Sequence, residues 1–179
     1  PEVVNPSNDF LNDNDFEEFK KVLQDALDEL NRHREEEGAS IEKDLLARIT
    51  KINAQEETIV KLEPNRIKRV REEITQLLEK YVGKDNYDGN RLEQELIYYM
   101  EKIDIHEEQI RLRQHCEYFT ELMNGKDEGK GKKLSFLLQE IGREINTTGS
   151  KAYDAGIQKC VVNMKDELEK AKEQVLNVL

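Results

Sequence analysis

Apolar residues recur at steps of three and four along almost the whole chain, and no stretch shows the alternation a strand requires. A first helix is expected to begin near Asp13 or Asp15, either of which can cap it and place negative charge at its N-terminus. Phe16, Phe19, Leu23, Ala26, Leu27 and Leu30 then mark one face. At the same steps that seam reaches Arg34 and Glu37 before apolar residues resume at Ile41, Leu45, Ile49 and Ile52. Polar groups on a core-facing seam are costly unless paired. Either Gly38 marks a kink or helix end and the seam is exposed there, or Arg34, Glu37 and Gly38 face a partner or a functional cavity.

Pro64 can start a second helix, because the first helical turn has no use for the missing N–H. Ile67, Val70, Ile74, Leu77, Leu78 and Tyr81 supply its apolar face. Arg66, Lys68, Arg69 and Arg71 make the most basic stretch of the chain, read as a face paired with acidic neighbours or as a phosphate-contact patch. The Gly83–Gly89 segment, GKDNYDG, is a turn by composition, and Asn90 can cap a third helix. Its seam runs through Leu92, Leu96, Tyr99, Ile103, His106 and Ile110, then Leu112, Cys116, Phe119 and Met123. His106 on that seam reads as a packed histidine; His115, four residues from Arg111, is more open to a functional role.

A flexible loop, Asn124–Gly131, precedes a last helix from about Lys132 to the C-terminus. Ile157, Val161, Met164, Leu168, Ala171, Val175 and Val178 keep a 4-3 seam in it. A break at Asn146–Gly149 is the alternative, since Asn, Thr and Gly are poor helix formers. The expected fold is therefore all-α: elongated long-helix hairpins with coiled-coil-like packing and faces available for self-association. Residues 1–14, rich in Asn, Asp, Pro and Ser, read as a linker from an absent N-terminal domain. Residues 15–82 and 90–179 read as two helical hairpins.

Composition agrees with long solvated helices rather than a thick globular core. Of the 179 residues 36% are hydrophobic and 37% charged, with three Pro and no Trp. The net charge of −11 opposes nonspecific attraction to nucleic acid or anionic membrane, so a polyanion must be met by local cations, by metal ions or by another part of the protein. Cys116 and Cys160 lack metal-ligand spacing and read as reduced structural thiols of a cytoplasmic protein. No apolar run is long enough to span a membrane, and a soluble protein is expected.

The chemistry concentrates in GKKLSFLLQEIGREINTTGSK, Gly131–Lys151. Leu134, Leu138, Ile141 and Ile145 would face a core, leaving Gln139, Glu140, Arg143, Glu144, Asn146, Thr147 and Ser150 on the flanking surface. Glu140 and Glu144 are four apart on one face, where like charges repel mildly and a cation relieves the cost. Carboxylates, amides and hydroxyls suit Mg²⁺ or Mn²⁺. The planar fork of Arg143 suits a phosphate oxygen, and Lys130, Lys132, Lys133 and Lys151 lie at or near the ends of the segment. Phosphodiester cleavage needs an activated water, charge relief and positioning, and candidates for all three are present. By chemistry alone a salt-bridge ladder explains the same residues more simply. The chain has no GxxxxGK[ST], HExxH, paired-Cys or GxSxG motif, nor the basic-aromatic interleaving of a common RNA-binding module.

The chain resembles the C-terminal two-thirds of the bacterial YicC/YloC family. The resemblance is carried by RLEQEL (Arg91–Leu96), the Asp104–Ile105 and Glu107–Glu108 cluster, Arg111-Leu112 with His115, and Gly131–Ala152; REEEG (Arg34–Gly38) matches more weakly. It implies a metal-dependent endoribonuclease, long described only as a stress-induced protein, that assembles into ring-like hexamers. It also implies an N-terminal domain with β-structure that this chain lacks. Glu140, Arg143, Glu144 and Asn146 coincide with motif positions, whereas Thr148-Gly149 stands where the family often has Leu-Ala, and Gly142 and Ile145 lie where it often has an aromatic or Ser.

Chemistry assigns the roles. Glu140 and Glu144, with Glu108 or Glu37 from neighbouring helices, would hold Mn²⁺ or Mg²⁺. Glu140, Glu144, Arg143 and His115 form the catalytic set, and Lys132, Lys133, Lys151 and Arg91 the RNA contacts. The alternative is a noncatalytic helical oligomerisation or RNA-binding module.

Overall fold

The computed structural model describes residues 13–84, 86–125 and 129–178, and among them forms five α-helices and no strand. These are α1 (Asp13–Val82), α2 (Gly89–Ile103), α3 (His106–Asn124), α4 (Gly131–Lys151) and α5 (Ala155–Val175). The chain is all-α. Residues 1–12 of the expected linker lie outside the described set, while 13 and 14 already belong to α1.

The chain divides into two compact units, Pro1–Ser40 and Ile41–Leu179. In the first, residues 15–40 are exposed throughout, including Phe16, Phe19, Leu23, Leu27 and Leu30. Arg34 and Glu37 are exposed too, and α1 runs through Gly38 without ending.

The second unit holds the core. Leu45, Ile49, Ile52 and Ile59 of α1 lie among Leu112 and Phe119 of α3, Leu138 and Ile141 of α4, and Met164 of α5. α3 packs on α4 and α4 on α5. The 4-3 seam of α5 is buried from Ile157 to Val175.

Residues 15–82, expected to be a hairpin, form one helix, and Pro64 sits inside it. Proline removes the helical N–H and crowds the preceding turn. The carbonyl it deprives belongs to Val60, an exposed residue, and the core contacts of Ile52 and Ile59 hold the helix on the N-terminal side of the proline.

The helix expected from Asn90 starts at Gly89, because Asp88 is its cap: the Asp88 carboxylate accepts from the Asn90 N–H at 2.9 Å. That helix is not continuous to Met123. Asp104 adopts an extended conformation and its carboxylate accepts from the His106 N–H at 2.9 Å. Arg66, 1% exposed, donates from Nη2 to the Ile103 carbonyl at 2.8 Å and so satisfies the end of α2. The break puts Ile105 in the core, at 0% exposure, and turns His106 out to solvent, opposite to the packed histidine expected.

The hairpin expected over 90–179 is thus built from more helices than two, because its last helix also divides. The division comes at Ala152–Asp154 rather than at Asn146–Gly149. Asp154 caps α5 through the Ile157 N–H at 2.9 Å, and Arg69 pairs with the same carboxylate. Gly149 stays helical because tight packing needs it: a Cβ there would lie 3.0 Å from Val161 Cγ1.

Candidate functional site

Four fully buried residues, Leu134, Leu138, Ile141 and Ile145, fix the orientation of α4. They belong to a buried seam, 134, 138, 141, 145, 148 and 152, that advances by 4-3-4-3-4. A second series, Lys132, Phe136, Gln139, Arg143, Asn146 and Ser150, advances in the same rhythm two residues behind. Two residues are about 200° of helical rotation, so this series lies on the opposite side, and all six are exposed.

Glu140 and Glu144 flank that exposed series on one edge. Glu140 is half-buried, whereas Glu144 is 4% exposed. Among the described residues neither carboxylate has a hydrogen bond or ion pair, and Arg143, one turn away, is also without one. The salt-bridge ladder that α4 suggests by spacing is absent from these residues. Neither Glu144 oxygen is among the buried atoms left without a partner, so its stem is packed while its carboxylate stays open to solvent and to a ligand.

The remaining candidates are dispersed. Glu108, in the first turn of α3, is 5% exposed, and its Oε1 lies 2.7 Å from Lys151 Nζ. Its Oε2 is buried with no partner, as is Gln109 Nε2. Lys151 is therefore occupied by an internal carboxylate rather than presented to a phosphate. His115 is half-buried on α3, and its neighbour Arg111 is paired with Glu107. Lys132, Lys133 and Arg91 are exposed. Glu37 belongs to the first unit and lies 3.9 Å from His33.

Among the described residues no group of three or more His, Cys, Asp or Glu side chains gathers closely enough to hold a metal ion. Within the second unit Glu140, Glu144 and Glu108 thus do not gather into such a group. The two cysteines offer no alternative: both are free and buried, and burial pushes the Cys116 thiol up to about 12.

The basic stretch of α1 is resolved in favour of pairing. Arg66 binds Glu63, Arg69 binds Asp154, Arg71 lies 2.5 Å from Glu93 and Lys68 lies 3.9 Å from Glu72. A groove of about 500 Å³ runs past Asn53, Glu56, Val60, Arg113 and Glu117. Its buried carboxylate, Glu56, is neutralised by Arg113 at 2.9 Å. The sequence places Arg66 in the basic stretch but carries no sign of its burial or of its bond to Ile103. Phe136 lies off the Leu134–Leu138 seam, and that position is the signal in the sequence that it is exposed.

No helix among the described residues is long and apolar enough to cross a membrane. Residues 59–179 match the family described as endoribonuclease YicC-like, C-terminal. Over 161 residues the chain is 35% identical to a protein of Clostridioides difficile named probable endoribonuclease YicC, covering 89% of this chain and 55% of that one. Over 157 residues it is 31% identical to the Haemophilus influenzae protein of the same name, covering 88% of this chain and 54% of the relative. The chain spans about half the length of these curated relatives.

Proposed function

The chain belongs to the YicC-like endoribonuclease family, and from that premise we propose that it is the helical part of an enzyme that hydrolyses RNA phosphodiester bonds. The observation that carries the reading is Glu144: a residue 4% exposed on α4 whose carboxylate has no cation against it among the described residues, next in sequence to the unpaired guanidinium of Arg143. In this reading Glu144, with Glu140 beside it, accepts a proton from the attacking oxygen. Arg143 relieves negative charge on the phosphate through its fork. Lys132, Lys133 and Arg91 attract the polyanion to a chain whose net charge of −11 otherwise repels it.

The proposal includes a requirement for a divalent cation, Mn²⁺ or Mg²⁺. It assigns no ligand set made of Glu140, Glu144 and Glu108 of one chain, because these form no such group. Self-association, hexameric by the resemblance, and a cytoplasmic location belong to the same proposal.

The exposed apolar residues of the first unit favour a second reading, a noncatalytic helical assembly module. Incubation of the chain with end-labelled RNA and Mn²⁺, against an EDTA control, separates the two. Cleavage that EDTA abolishes supports the enzyme. Intact RNA after incubation with the folded chain and Mn²⁺ assigns this chain to the module instead.

A further inference from the structure

The exposed seam of α4 differs in kind from the rest of the surface. In a chain with 39 Asp and Glu, none of its six positions is a carboxylate. Its residues are two cations, two amides, a hydroxyl and an aromatic. Phe136 is 60% exposed, and its seam neighbours on either side are Lys132 and Gln139.

The arginine is also unusual. In the second unit Arg48, Arg66, Arg69, Arg71, Arg111 and Arg113 all carry a carboxylate partner. Among the described residues Arg143 carries none, a condition it shares in this unit only with Arg91. Lys132 has no carboxylate partner there either. An unpaired guanidinium on an acidic protein keeps its charge and all its donors for an external anion.

We infer that this seam is a contact surface for single-stranded RNA, with Phe136 stacked on an unpaired base and Lys132 and Arg143 on the phosphates to either side. The inference rests on the RNA reading above and adds to it the strandedness of the substrate and the residue that reads it. At 1.5 Å per residue Lys132 stands about 6 Å and Arg143 about 10.5 Å from Phe136 along the helix axis. Both long side chains can therefore reach the backbone of a strand whose base lies on the ring. Gln139 and Asn146 each present a donor and an acceptor to base edges.

An aromatic flanked by cations is the arrangement by which single strands are held, because every base has a face to stack and every linkage a charge to meet. A duplex keeps its bases stacked on each other and has none to offer Phe136. A protein partner fits the seam less well. The core of a protein interface gathers apolar side chains, whereas Phe136 is the one apolar residue in a row of polar ones. The buried seam behind the helix holds this row in place before the ligand arrives, so little ordering entropy opposes binding.

Fluorescence anisotropy of a labelled, mixed-sequence single-stranded oligoribonucleotide, with its duplex as comparison, tests this across a salt series. The chain is expected to prefer the single strand. Phe136→Ala and Phe136→Leu should each weaken binding about tenfold, and Phe136→Trp should restore it. Lys132→Gln and Arg143→Gln should each lower the steepness of the log–log salt dependence by about 0.7. Because Phe136 is exposed, its variants should keep the wild-type circular dichroism, and sedimentation of each variant reports its assembly. Unchanged affinity in Phe136→Leu overturns the stacking role while leaving the RNA reading intact. A changed oligomeric mass in Phe136→Ala with unchanged RNA affinity makes the seam a protein interface. A wild-type chain that neither binds nor cleaves RNA removes the RNA reading and this inference together.

Discussion

Glu108 and Lys151, 43 residues apart in sequence, meet at 2.7 Å and tie the start of α3 to the end of α4. Glu108 is nearly buried and its second oxygen has no partner, so the ammonium of Lys151 is what makes the carboxylate tolerable there. Lys151→Met is expected to destabilise the second unit by about 2 kcal/mol, since it leaves a buried charge alone. Its effect on RNA affinity should be small, because the ammonium is already committed. Urea denaturation checks the first expectation and a salt-dependent binding titration the second.

Glu144 presents the reverse case. No cation lies against it among the described residues, but neither of its oxygens is among the buried atoms left without a partner, so Glu144→Gln should change stability by less than about 0.5 kcal/mol. The same substitution should abolish RNA cleavage, as expected of a residue that serves the site rather than the fold. Thermal unfolding and a cleavage assay on one preparation measure both.

Gly149 tests the packing of α4 on α5. Alanine there gains about 1 kcal/mol of helix propensity but sets a methyl group 3.0 Å from Val161 Cγ1. Val161 is 2% exposed and β-branched, so it has little room to turn away. Gly149→Ala should therefore cost about 1 kcal/mol net. Gly142→Ala should cost less, because the atom it meets at 3.0 Å is Cδ2, the far end of the more flexible Leu168. Denaturant midpoints of the two variants give the order.

Asp154 supplies an acid-sensitive element. The hydrogen bond from the Ile157 N–H, and then that from Arg69, hold its carboxyl below the usual range. A depressed folded value means that the stabilisation is fully present above the unfolded value of about 3.9 and is lost as pH falls through the folded one. Asp154→Ala should cost about 1 kcal/mol at neutral pH and make unfolding less dependent on pH below about 4. Chemical denaturation at a series of acidic pH values follows it.

Much of the fold is legible in the sequence, because the spacing of apolar residues records which helix face is covered. The seams through Leu45 and Ile49, Leu112 and Phe119, Leu138 and Ile141, and Ile157 and Val161 are all buried. Helix ends were less legible. The apolar rhythm continues across Asp104, and the break there depends on Arg66, whose partner carbonyl lies 37 residues on. Pro64 and Gly149 carry local signals for ending a helix, yet tertiary contacts override both. The candidate site shows the same division. Local spacing placed Glu140, Arg143 and Glu144 on one helix, but only the fold reveals that Lys151 is spent on Glu108 and that Glu144 is left without a cation among the described residues.

The most direct test of the account is cleavage of end-labelled single-stranded RNA with Mn²⁺ by the chain and by two variants, Glu144→Gln and Lys151→Gln, each shown to be folded. The account predicts cleavage by the wild type, its loss in Glu144→Gln and its retention in Lys151→Gln. Full activity in Glu144→Gln would contradict it.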